Sequence, residues 1–325
     1  MANAVRRIGV FTSGGDAPGM NAAIRSVVRT SLHMGIECIG IRRGYNGLVN
    51  GDFIPLDFES VSGLSRRGGT MLYSARSEDF RGEAGQEKAV ATCKLLGVVG
   101  IGGDGTFRGL LELSRRGVAV VGLPGTIDND IACSTYTIGF DTACNTALDS
   151  IDKLRDTMQS HERCSVVEVM GRHAGHLALY VGVACGATCV LVPERPVDFE
   201  ADVVEPIRRA RLGGRTHFMV IVAEGVGSAY DVAKKITEAT SLDTRVTVLG
   251  HVQRGGAPTA RDRVAATYMG YEAVRLLAEG KSNRVVCVQG DTYVDYDITE
   301  ALKMKKGLDE QTYTVMRALT GVEQR

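Results

Sequence analysis

Short apolar segments that end in glycine-rich polar loops recur along this 325-residue chain. Residues 7–12, 36–41 and 97–101 have the length and the β-branched content of buried strands, and helical patterns follow several of the loops. Strands that alternate with helices predict an α/β fold with parallel sheets. Because the chain exceeds the usual size of one hydrophobic core, we expect two doubly wound, Rossmann-like lobes with a cleft between them. The expected boundaries are 1–140 plus 255–305 for one lobe and 141–254 plus 306–325 for the other.

Composition excludes several classes of partner. Lys plus Arg and Asp plus Glu both number 38, so no overall field favours a nucleic acid or a membrane surface. No apolar run approaches the ~18 residues of a membrane span, and no signal-peptide pattern follows Met1. The eight cysteines are scattered without a CxxC pair, which is typical of reduced, packed thiols. We therefore expect a cytoplasmic protein that binds neither nucleic acid nor membrane.

The first polar loop, residues 13–21, joins a predicted strand to a predicted helix. Such a turn aims backbone N–H groups and a helix N-terminus at an anion. Gly14 has no Cβ, so a phosphate could approach the main chain closely there. The loop matches neither the P-loop GxxxxGK[ST] nor the dinucleotide-binding GxGxxG, which weakens both of those interpretations.

Two features after the second predicted strand also suit a nucleotide. Tyr45 stands in a glycine-flanked loop and could stack on a base, with an ordinary surface tyrosine as the alternative. Arg76 ends a basic, glycine-rich stretch in an otherwise neutral chain. That stretch suits phosphate, with a solvated charged loop as the alternative.

The sequence GGDGT directly follows the strand predicted at 97–101 and opens another helix. Gly103 and Gly105 allow close contact with phosphate oxygens, and Asp104 stands where it can hold a divalent cation that bridges them. Thr106 can cap the helix while it donates to a phosphate. The ion we expect is Mg²⁺, because one carboxylate plus phosphates and waters suits its octahedral shell.

An acidic loop, PGTIDND at residues 124–130, follows a fourth apolar strand, predicted at 118–121. Asp128 and Asp130 alternate, so in an extended segment both would lie on the same side. Thr126 and Asn129 add neutral hydrogen-bonding groups. A solvated acidic turn is the alternative, but two phosphate-binding loops precede this segment and favour a catalytic one.

Polar clusters also follow the later predicted strands, at the ends where open α/β sheets bind ligands. Arg172 follows the strand at 164–169 and is suited to phosphoryl oxygens. His173 and His176 lie close to it, but no third metal ligand is evident. Glu224, His251 and Arg254 together are typical of a sugar-phosphate pocket, with a carboxylate for hydroxyls and cations for phosphate.

Five motifs together resemble those of the bacterial ATP-dependent 6-phosphofructokinase family. They are TSGGDAPGMNA, GGDGT, PGTIDND, MGRHAGH and GHVQRGG, and the match covers nearly the whole chain. The resemblance implies transfer of the ATP γ-phosphoryl group to the 1-hydroxyl of fructose 6-phosphate, with Mg²⁺. It also implies a homotetramer whose active sites are completed across a subunit interface. The first lobe would bind ATP, and the second would bind fructose 6-phosphate and effectors.

The resemblance carries roles onto the matching residues. Asp128 would be the general base, Arg172 would neutralise the phosphoryl group in transfer, and Asp104 would hold Mg²⁺. Thr126 would be a further catalytic group. The ATP site would comprise Gly14, Tyr45, Arg76, Ser77, Gly103, Asp104, Gly105 and Thr106. The sugar-phosphate site would comprise Thr126, Asp128, Arg163, Met170, Gly171, Arg172, Glu224, Arg245, His251 and Arg254, with Arg163 and Arg245 supplied by the neighbouring subunit.

Two glycines indicate which phosphoryl donor the protein uses. Pyrophosphate-using relatives carry Asp at the position of Gly105 and Lys at the position of Gly125. An Asp side chain would intrude, by bulk and like charge, where the α-phosphate of ATP must pass. The sequence therefore favours ATP as the donor.

The effector site is less complete. Arg25, Arg29 and Arg155 match the basic set that binds ADP or phosphoenolpyruvate in the resembling enzymes. Asp52 stands where a basic residue is usual, and Thr188 where the best-known members have Glu. These departures leave open which effectors act and with what sign.

Several other functions stay open as alternatives. One is a pyrophosphate-dependent phosphofructokinase, and another is a regulatory paralogue that binds sugar phosphate without chemistry. NAD kinases and lipid kinases also contain GGDGT but lack the PGTIDND and MGR segments. A dinucleotide oxidoreductase is disfavoured by the missing GxGxxG.

Overall fold

The computed structural model describes residues 7–93 and 97–320. Its strands are β1 (Arg7–Thr12), β2 (Glu37–Ile41), β3 (Phe53–Leu56), β4 (Gly97–Gly102), β5 (Ala119–Pro124), β6 (Cys164–Val169), β7 (Cys189–Leu191), β8 (Phe218–Ala223), β9 (Thr244–Val248), β10 (Arg284–Gln289) and β11 (Thr292–Asp297). Its α-helices are α1 (Met20–His33), α2 (Tyr45–Asn50), α3 (Glu83–Thr92), α4 (Asp104–Arg115), α5 (Phe140–Ser160), α6 (His176–Ala184), α7 (Glu205–Leu212), α8 (Ala229–Thr240), α9 (Ala260–Ala278), α10 (Ile298–Ala301) and α11 (Glu310–Thr320).

The chain divides into two compact units, each with its own sheet. Unit 1 comprises the described residues of Met1–Ile127, Ile131–Thr142 and Arg254–Lys306. Unit 2 comprises those of Asp128–Asp130, Ala143–Gln253 and Gly307–Arg325. Both are α/β units with largely parallel strands, which confirms the predicted fold class.

The seven strands of unit 1 form one sheet in the order β11-β10-β5-β4-β1-β2-β3. The five inner strands are parallel, while β3 and β11 pair antiparallel at the two edges. The chain moves outward from β1 in both directions, so the strand order reverses between β1 and β4. Ligands bind at the carboxyl ends of strands beside such a reversal. The Ser13 N–H donates to the Ile101 carbonyl at 3.0 Å, so the loops after β1 and β4 start side by side.

The four strands of unit 2 are all parallel, in the order β7-β8-β6-β9. Because β6 lies between β8 and β9, the segments that follow these three strands leave from one edge of the sheet. The Glu224 N–H donates to the Val169 carbonyl at 2.9 Å, and the Leu249 N–H donates to the Glu168 carbonyl at 3.1 Å. The segment after β6 therefore lies next to both of the other polar segments.

The continuous apolar strands are explained by burial on both faces of the sheets. Every residue of β4 and of β8 is buried, as a parallel sheet with helices on both sides requires. Each unit has its own apolar core, which contains Phe11 and Phe107 in unit 1 and Phe218 in unit 2. All eight cysteines are free and seven are buried, which confirms the prediction that they are packed. None of the described helices is long and apolar enough to cross a membrane.

The two antiparallel edge strands were not anticipated from the sequence pattern. β3 is only four residues long and contains Pro55, which removes a backbone donor and is tolerated at a sheet edge. β11 has the sequence TYVDYD, and its residues are only partly buried or exposed. β11 therefore lacks the continuous apolar run that identifies the inner strands, while β3, although its sequence FIPL is apolar, is short and contains a proline.

A buried carboxylate organises the entry to α5. Asp262, in the first turn of α9, is fully buried and accepts from the Gly139 N–H at 2.7 Å and the Thr142 N–H at 2.9 Å. These N–H groups lie at the N-terminus of α5, where backbone donors have no intrahelical partner. The hydroxyls of Thr142 and Tyr136 also donate to this carboxylate. Burial raises the pKa of Asp262, and these hydrogen bonds oppose the rise.

We expect Asp262→Ala to lower the stability of the protein substantially, because four donors lose their acceptor. Each buried donor left unsatisfied costs about 1–3 kcal/mol. Calorimetry should show a clear fall in the midpoint of thermal unfolding for Asp262→Ala and a smaller fall for Tyr136→Phe, which removes one donor. Asp291→Ala, at an exposed site, is the control. Equal midpoints for Asp262→Ala and this control would contradict the capping role.

A glycine at the end of β4 allows the two loops of unit 1 to meet. A Cβ on Gly102 would lie 2.4 Å from the Ser13 carbonyl oxygen and 2.2 Å from Thr106 Oγ1. A Cβ on Gly105, in the first turn of α4, would have no neighbour within 4 Å. The first glycine is therefore required by packing and the second is not.

These two glycines give a matched pair of variants. Gly102→Ala is expected to lower the midpoint of thermal unfolding by several degrees, because its methyl group collides with the main chain. Gly105→Ala should leave the midpoint unchanged or raise it, since Ala is favoured over Gly within a helix by about 1 kcal/mol. Thermal denaturation of both variants tests this difference. A similar loss in the two variants would show that the close approach at Gly102 is unimportant.

Candidate active site

The N-terminus of α4 in unit 1 presents a surface suited to an anion. Gly103 is the N-cap residue, and Asp104 and Gly105 begin the helix at an exposed position. Backbone N–H groups and the helix dipole favour negative charge at such a place. A Cβ on Gly103 or Gly105 would meet no protein atom within 4 Å. Protein packing therefore leaves room for a ligand beside both residues.

The loop after β1 lies close to this helix and has a backbone that needs glycine. Gly14 has a φ of +85°, in the left-handed region where a side chain is disfavoured. Its carbonyl accepts from the Ser74 hydroxyl at 2.5 Å, and the Thr12 hydroxyl donates to the Tyr73 carbonyl at 2.9 Å. The stretch that leads to the exposed Arg76 therefore lies against the glycine loop.

Tyr45 does not occupy the position that the sequence suggested. Its ring is 5% exposed and lies between Phe80, stacked at 4.2 Å, and Phe11, in an edge contact at 4.9 Å. Its hydroxyl donates to the Thr106 carbonyl at 2.5 Å. A ring that is already stacked in the core is neither a surface tyrosine nor free to stack on a base. Tyr45 instead supports the first turn of α4.

The expectation that Thr106 caps α4 is also wrong. Gly103, not Thr106, is the N-cap residue. The Thr106 side chain is buried and its hydroxyl donates to the Ser13 carbonyl at 3.2 Å. Ser77, in contrast, is half-buried, and its hydroxyl accepts from the N–H of Phe80, in the short 3₁₀ turn Asp79–Arg81, at 3.2 Å. Thr106 therefore joins the two glycine loops rather than facing solvent.

The metal-binding capacity of unit 1 rests on Asp104. Among residues 7–93 and 97–320, no group of three or more His, Cys, Asp or Glu side chains could hold a metal ion. A single exposed carboxylate at a helix N-terminus fits Mg²⁺, which takes most of its ligands from phosphates and water. The same search gives no metal cluster around His173 and His176.

The acidic loop does not have the extended form that the alternating aspartates suggested. Asn129 has a φ of +50°, so Asp128 and Asp130 lie on a turn and do not share one side of a strand. Asp128 is 6% exposed, whereas Asp130 is half-buried. The Thr126 N–H donates to the Ile138 carbonyl at 3.1 Å and the Thr137 hydroxyl donates to the Thr126 carbonyl at 2.7 Å. The start of the loop is therefore fixed by the segment that enters α5.

The segment after β6 in unit 2 forms a tight turn at Gly171 and Arg172. Their φ values are +139° and +56°, and the Arg172 side chain is exposed. Glu224 Oε1 accepts from both N–H groups, at 3.2 Å and 2.7 Å. Gln253 Oε1 accepts from the N–H of the buried Met170 at 2.9 Å. Glu224, expected to contact sugar hydroxyls, thus also shapes the turn that carries Arg172.

The remaining predicted sugar-phosphate residues fall into two groups. In unit 2, Arg163 Nε donates to Asp243 Oδ2 at 2.6 Å and Arg245 Nη2 donates to the same oxygen at 3.2 Å. His251 is exposed on the 3₁₀ turn Gly250–Arg254. Arg254 belongs to unit 1, where a Cβ on Gly15 would lie 3.1 Å from its guanidinium.

Each of the predicted effector residues interacts with other groups of its own unit. In unit 1, Arg25 and Arg29 share one face of α1, and burial together with Arg29 lowers the pKa of Arg25. The Arg29 guanidinium lies 3.7 Å from the centre of the Phe58 ring. In unit 2, Arg155 donates to the Cys185 carbonyl.

The two residues that depart from the effector pattern also have local partners. Asp52 accepts from Arg42 Nε at 2.8 Å and from Arg43 Nη1 at 2.6 Å, and the hydrogen bond from Arg42 lowers its pKa. Thr188 is buried, and its hydroxyl accepts from the Met219 N–H at 3.2 Å.

Three supporting residues were missed from the sequence. Asp243 joins Arg163 to Arg245, Gln253 holds Met170, and Asp262 caps α5. Gln253 lies inside the motif GHVQRGG, and Asp262 stands three residues after the N-cap Thr259, so both had a local signal. Each of the three has at least one partner from a distant part of the chain, which spacing alone does not predict.

Comparison with known proteins places these features in one family. The model of the phosphofructokinase family matches residues 7–277. The ATP-dependent 6-phosphofructokinases of Clostridium botulinum (strain Hall) and Clostridium tetani are each 53% identical to this chain, over 320 and 319 residues. Each match covers 97% of this chain and 100% of the relative.

Solved structures agree with this match. Phosphofructokinase from Saccharomyces cerevisiae superposes with a TM-score of 0.86 at 34% identity, covering 97% of this chain and 47% of the yeast chain, so this chain spans about half of that relative. Pyrophosphate-dependent phosphofructokinase from Marinobacter aquaeolei has the same fold, with a TM-score of 0.84 at 21% identity, covering 97% of this chain and 92% of that one. This chain belongs to the phosphofructokinase family.

Proposed function

We propose that this protein is a glycolytic kinase that transfers the γ-phosphoryl group of ATP to the 1-hydroxyl of D-fructose 6-phosphate. The products are fructose 1,6-bisphosphate and ADP. The observation that carries the proposal is 53% identity to ATP-dependent 6-phosphofructokinases over their full length. The exposed glycine-rich start of α4 supports it, because it is suited to a polyphosphate.

In this proposal, unit 1 binds ATP. The N–H groups around Gly103 and Gly105 bind phosphate oxygens, and Gly14 and Arg76 contribute from the neighbouring loop. Asp104 holds Mg²⁺, which neutralises charge on the phosphates when it is bound. Ser77 and Thr106 are close to this site, with Thr106 acting through its contact to Ser13. Tyr45 acts only by supporting α4.

Unit 2 and the acidic loop bind the sugar phosphate in this proposal. Glu224 accepts from a sugar hydroxyl, and Met170 and Gly171 line the site. His251, Arg254 and the residue pair Arg163 and Arg245 bind the 6-phosphate. Cations and carboxylates of this kind recognise phosphate and hydroxyl groups respectively.

The chemical step needs a base and a cation. Asp128 accepts the proton of the 1-hydroxyl as that oxygen forms a bond to the γ-phosphorus and the bond from phosphorus to the β-phosphate oxygen breaks. Arg172 neutralises the charge on the transferring group, and Thr126 helps to position the sugar. Positioning and electrostatics supply most of the catalysis in phosphoryl transfer. Burial of Asp128, at 6% exposed, suits a base shielded from water.

Assembly and regulation are further parts of the proposal. We expect a cytoplasmic homotetramer in which Arg163 and Arg245 serve the site of the neighbouring subunit. Arg25, Arg29 and Arg155 would bind ADP or phosphoenolpyruvate. Because Asp52 pairs with two neighbouring arginines, it lowers the positive charge in its part of unit 1. The response to these anions would then be weaker than in enzymes with a basic residue there.

Asp128→Ser is expected to lower kcat by about 10²–10⁴-fold, the usual contribution of a positioned base. Binding of both substrates should be retained, because the serine removes the proton acceptor and little else. A coupled assay gives kcat, and titration calorimetry gives the affinity for fructose 6-phosphate. Asp149→Asn, at an exposed carboxylate on α5, is the control. A kcat equal to that of the parent would rule out Asp128 as the base.

The donor is tested by assaying ATP and pyrophosphate separately with fructose 6-phosphate. We expect activity with ATP and none with pyrophosphate alone. Gly105→Asp should weaken ATP binding by about 10- to 1000-fold, because like charges at 4 Å repel by about 1–4 kcal/mol. Gly105→Ala is the matched control: its uncharged methyl group takes up less space than the Asp side chain, so it should weaken ATP binding much less. Activity of the parent protein with pyrophosphate alone would favour the pyrophosphate-dependent alternative.

A further inference from the structure

We propose that Gln253 is a positioning residue for the sugar-phosphate side of the site, acting through the turn that carries Arg172. The inference rests on the proposed function and concerns a residue to which that function gives no role. Gln253 does not reach the surface: it is fully buried, while His251, two residues earlier on the same 3₁₀ turn, is exposed.

The turn that follows β6 has an unusual backbone that its surroundings must enforce. Gly171 has a φ of +139° and Arg172 a φ of +56°. A side-chain-bearing residue in the left-handed region is strained, and it persists only where neighbouring groups determine it. Gly225 packs directly against this turn, since a Cβ there would lie 2.3 Å from the Arg172 carbonyl oxygen.

Two side chains hold the three successive N–H groups of this turn. The Met170 N–H donates to Gln253 Oε1 at 2.9 Å. The N–H groups of Gly171 and Arg172 both donate to Glu224 Oε1, at 3.2 Å and 2.7 Å. Glu224 has a direct ligand role in the proposed function, whereas Gln253 has only this one contact to offer. Gln253 therefore fixes the start of the turn, and Glu224 fixes its end.

The contact with Met170 fixes the orientation of the Gln253 amide and leaves the Nε2 group at the other end of that amide unsatisfied. An N–H group needs an acceptor, so the oxygen must face Met170. The Nε2 group is then buried, and it has no hydrogen-bond partner within the described ranges 7–93 and 97–320. An apolar side chain of the same length would avoid this unsatisfied donor. The same replacement would leave the Met170 N–H without its acceptor, so a buried glutamine at this position is explained by what its oxygen holds.

Gln253 also links two polar segments within unit 2. Its own 3₁₀ turn follows β9 and carries His251, and its partner Met170 follows β6. This hydrogen bond therefore joins the segment bearing His251 to the segment bearing Arg172, beyond the bond from the Leu249 N–H to the Glu168 carbonyl at the strand ends. Both segments face the sugar phosphate in the proposed function, whereas the ATP contacts lie in unit 1. Loss of this hydrogen bond should therefore weaken the use of fructose 6-phosphate and leave the binding of ATP unchanged.

The decisive variant is Gln253→Met, which keeps the length of the side chain and removes the acceptor. We expect kcat/KM for fructose 6-phosphate to fall by about 10- to 100-fold, since small displacements of positioned groups have effects of that size. KM for ATP should be unchanged. The midpoint of thermal unfolding should change little, because the loss of the unsatisfied Nε2 donor offsets the Met170 N–H that loses its acceptor. Gln311→Met, at an exposed glutamine on α11, is the control.

Gln253→Glu is the rescue variant, because a carboxyl oxygen can still accept from the Met170 N–H. It should recover most of the activity that Gln253→Met loses, while its midpoint of unfolding falls as a carboxyl group is buried. Gln253→Met would then lose activity without losing stability, whereas Gln253→Glu would lose stability and keep most of the activity. Unchanged kcat/KM for fructose 6-phosphate in Gln253→Met would overturn the inference. So would a loss of activity that follows stability and affects both substrates equally.

Hydrogen exchange separates this inference from the proposed function. Backbone amides at residues 170–172 should exchange faster in Gln253→Met than in the parent protein, whatever reaction the protein catalyses. Equal exchange rates would overturn the positioning role even in an active kinase. If exchange is faster in Gln253→Met but the parent protein does not phosphorylate fructose 6-phosphate, the contact is supported and the proposed function alone is refuted.

Discussion

The rest of this structure depends on one constraint. The backbone N–H groups at the carboxyl ends of the parallel strands need hydrogen-bond acceptors. Where a strand ends and a turn or helix begins, the first donors have no partner in regular structure. The protein meets this requirement in two ways. At α5 and at the turn after β6, side chains of the protein supply the acceptors: Asp262 for the helix, Glu224 and Gln253 for the turn. At α4 the glycine-rich start is left exposed, where an anion can supply them.

These two ways of supplying acceptors match the chemistry proposed for α4 and for the turn that carries Arg172. A polyphosphate has many acceptor oxygens and suits N–H groups presented by α4. A catalytic arginine needs a fixed backbone and an open side chain. The Arg172 turn provides both, since its N–H groups are bound within unit 2 while its side chain is exposed. The supporting residues are therefore as much a part of the site as the residues that touch substrate.

The sequence predicted those parts of the protein that are determined locally. The inner strands are apolar along their whole length, and the polar motifs stand directly after them, so the fold class and the candidate residues were evident. Tyr45 and Thr106 were misplaced because their positions depend on Phe80 and on Ser13, which are remote in sequence. The form of the acidic loop depends on one left-handed residue, Asn129. Pattern and spacing cannot show that a residue adopts this conformation.

Glycine has two distinct uses in unit 1, and they carry different information about function. Gly102 is required by the protein itself, because a side chain would collide with Ser13 and Thr106. Gly105 has open space around it and lies within a helix, where Ala is the better residue by about 1 kcal/mol. Neither packing nor backbone conformation accounts for a glycine there. What remains is the space it leaves outside the protein, beside the helix terminus that we propose binds the phosphates of ATP. That space is what a nucleotide donor needs and a shorter pyrophosphate does not, so Gly105 is the residue of α4 that argues most directly for ATP.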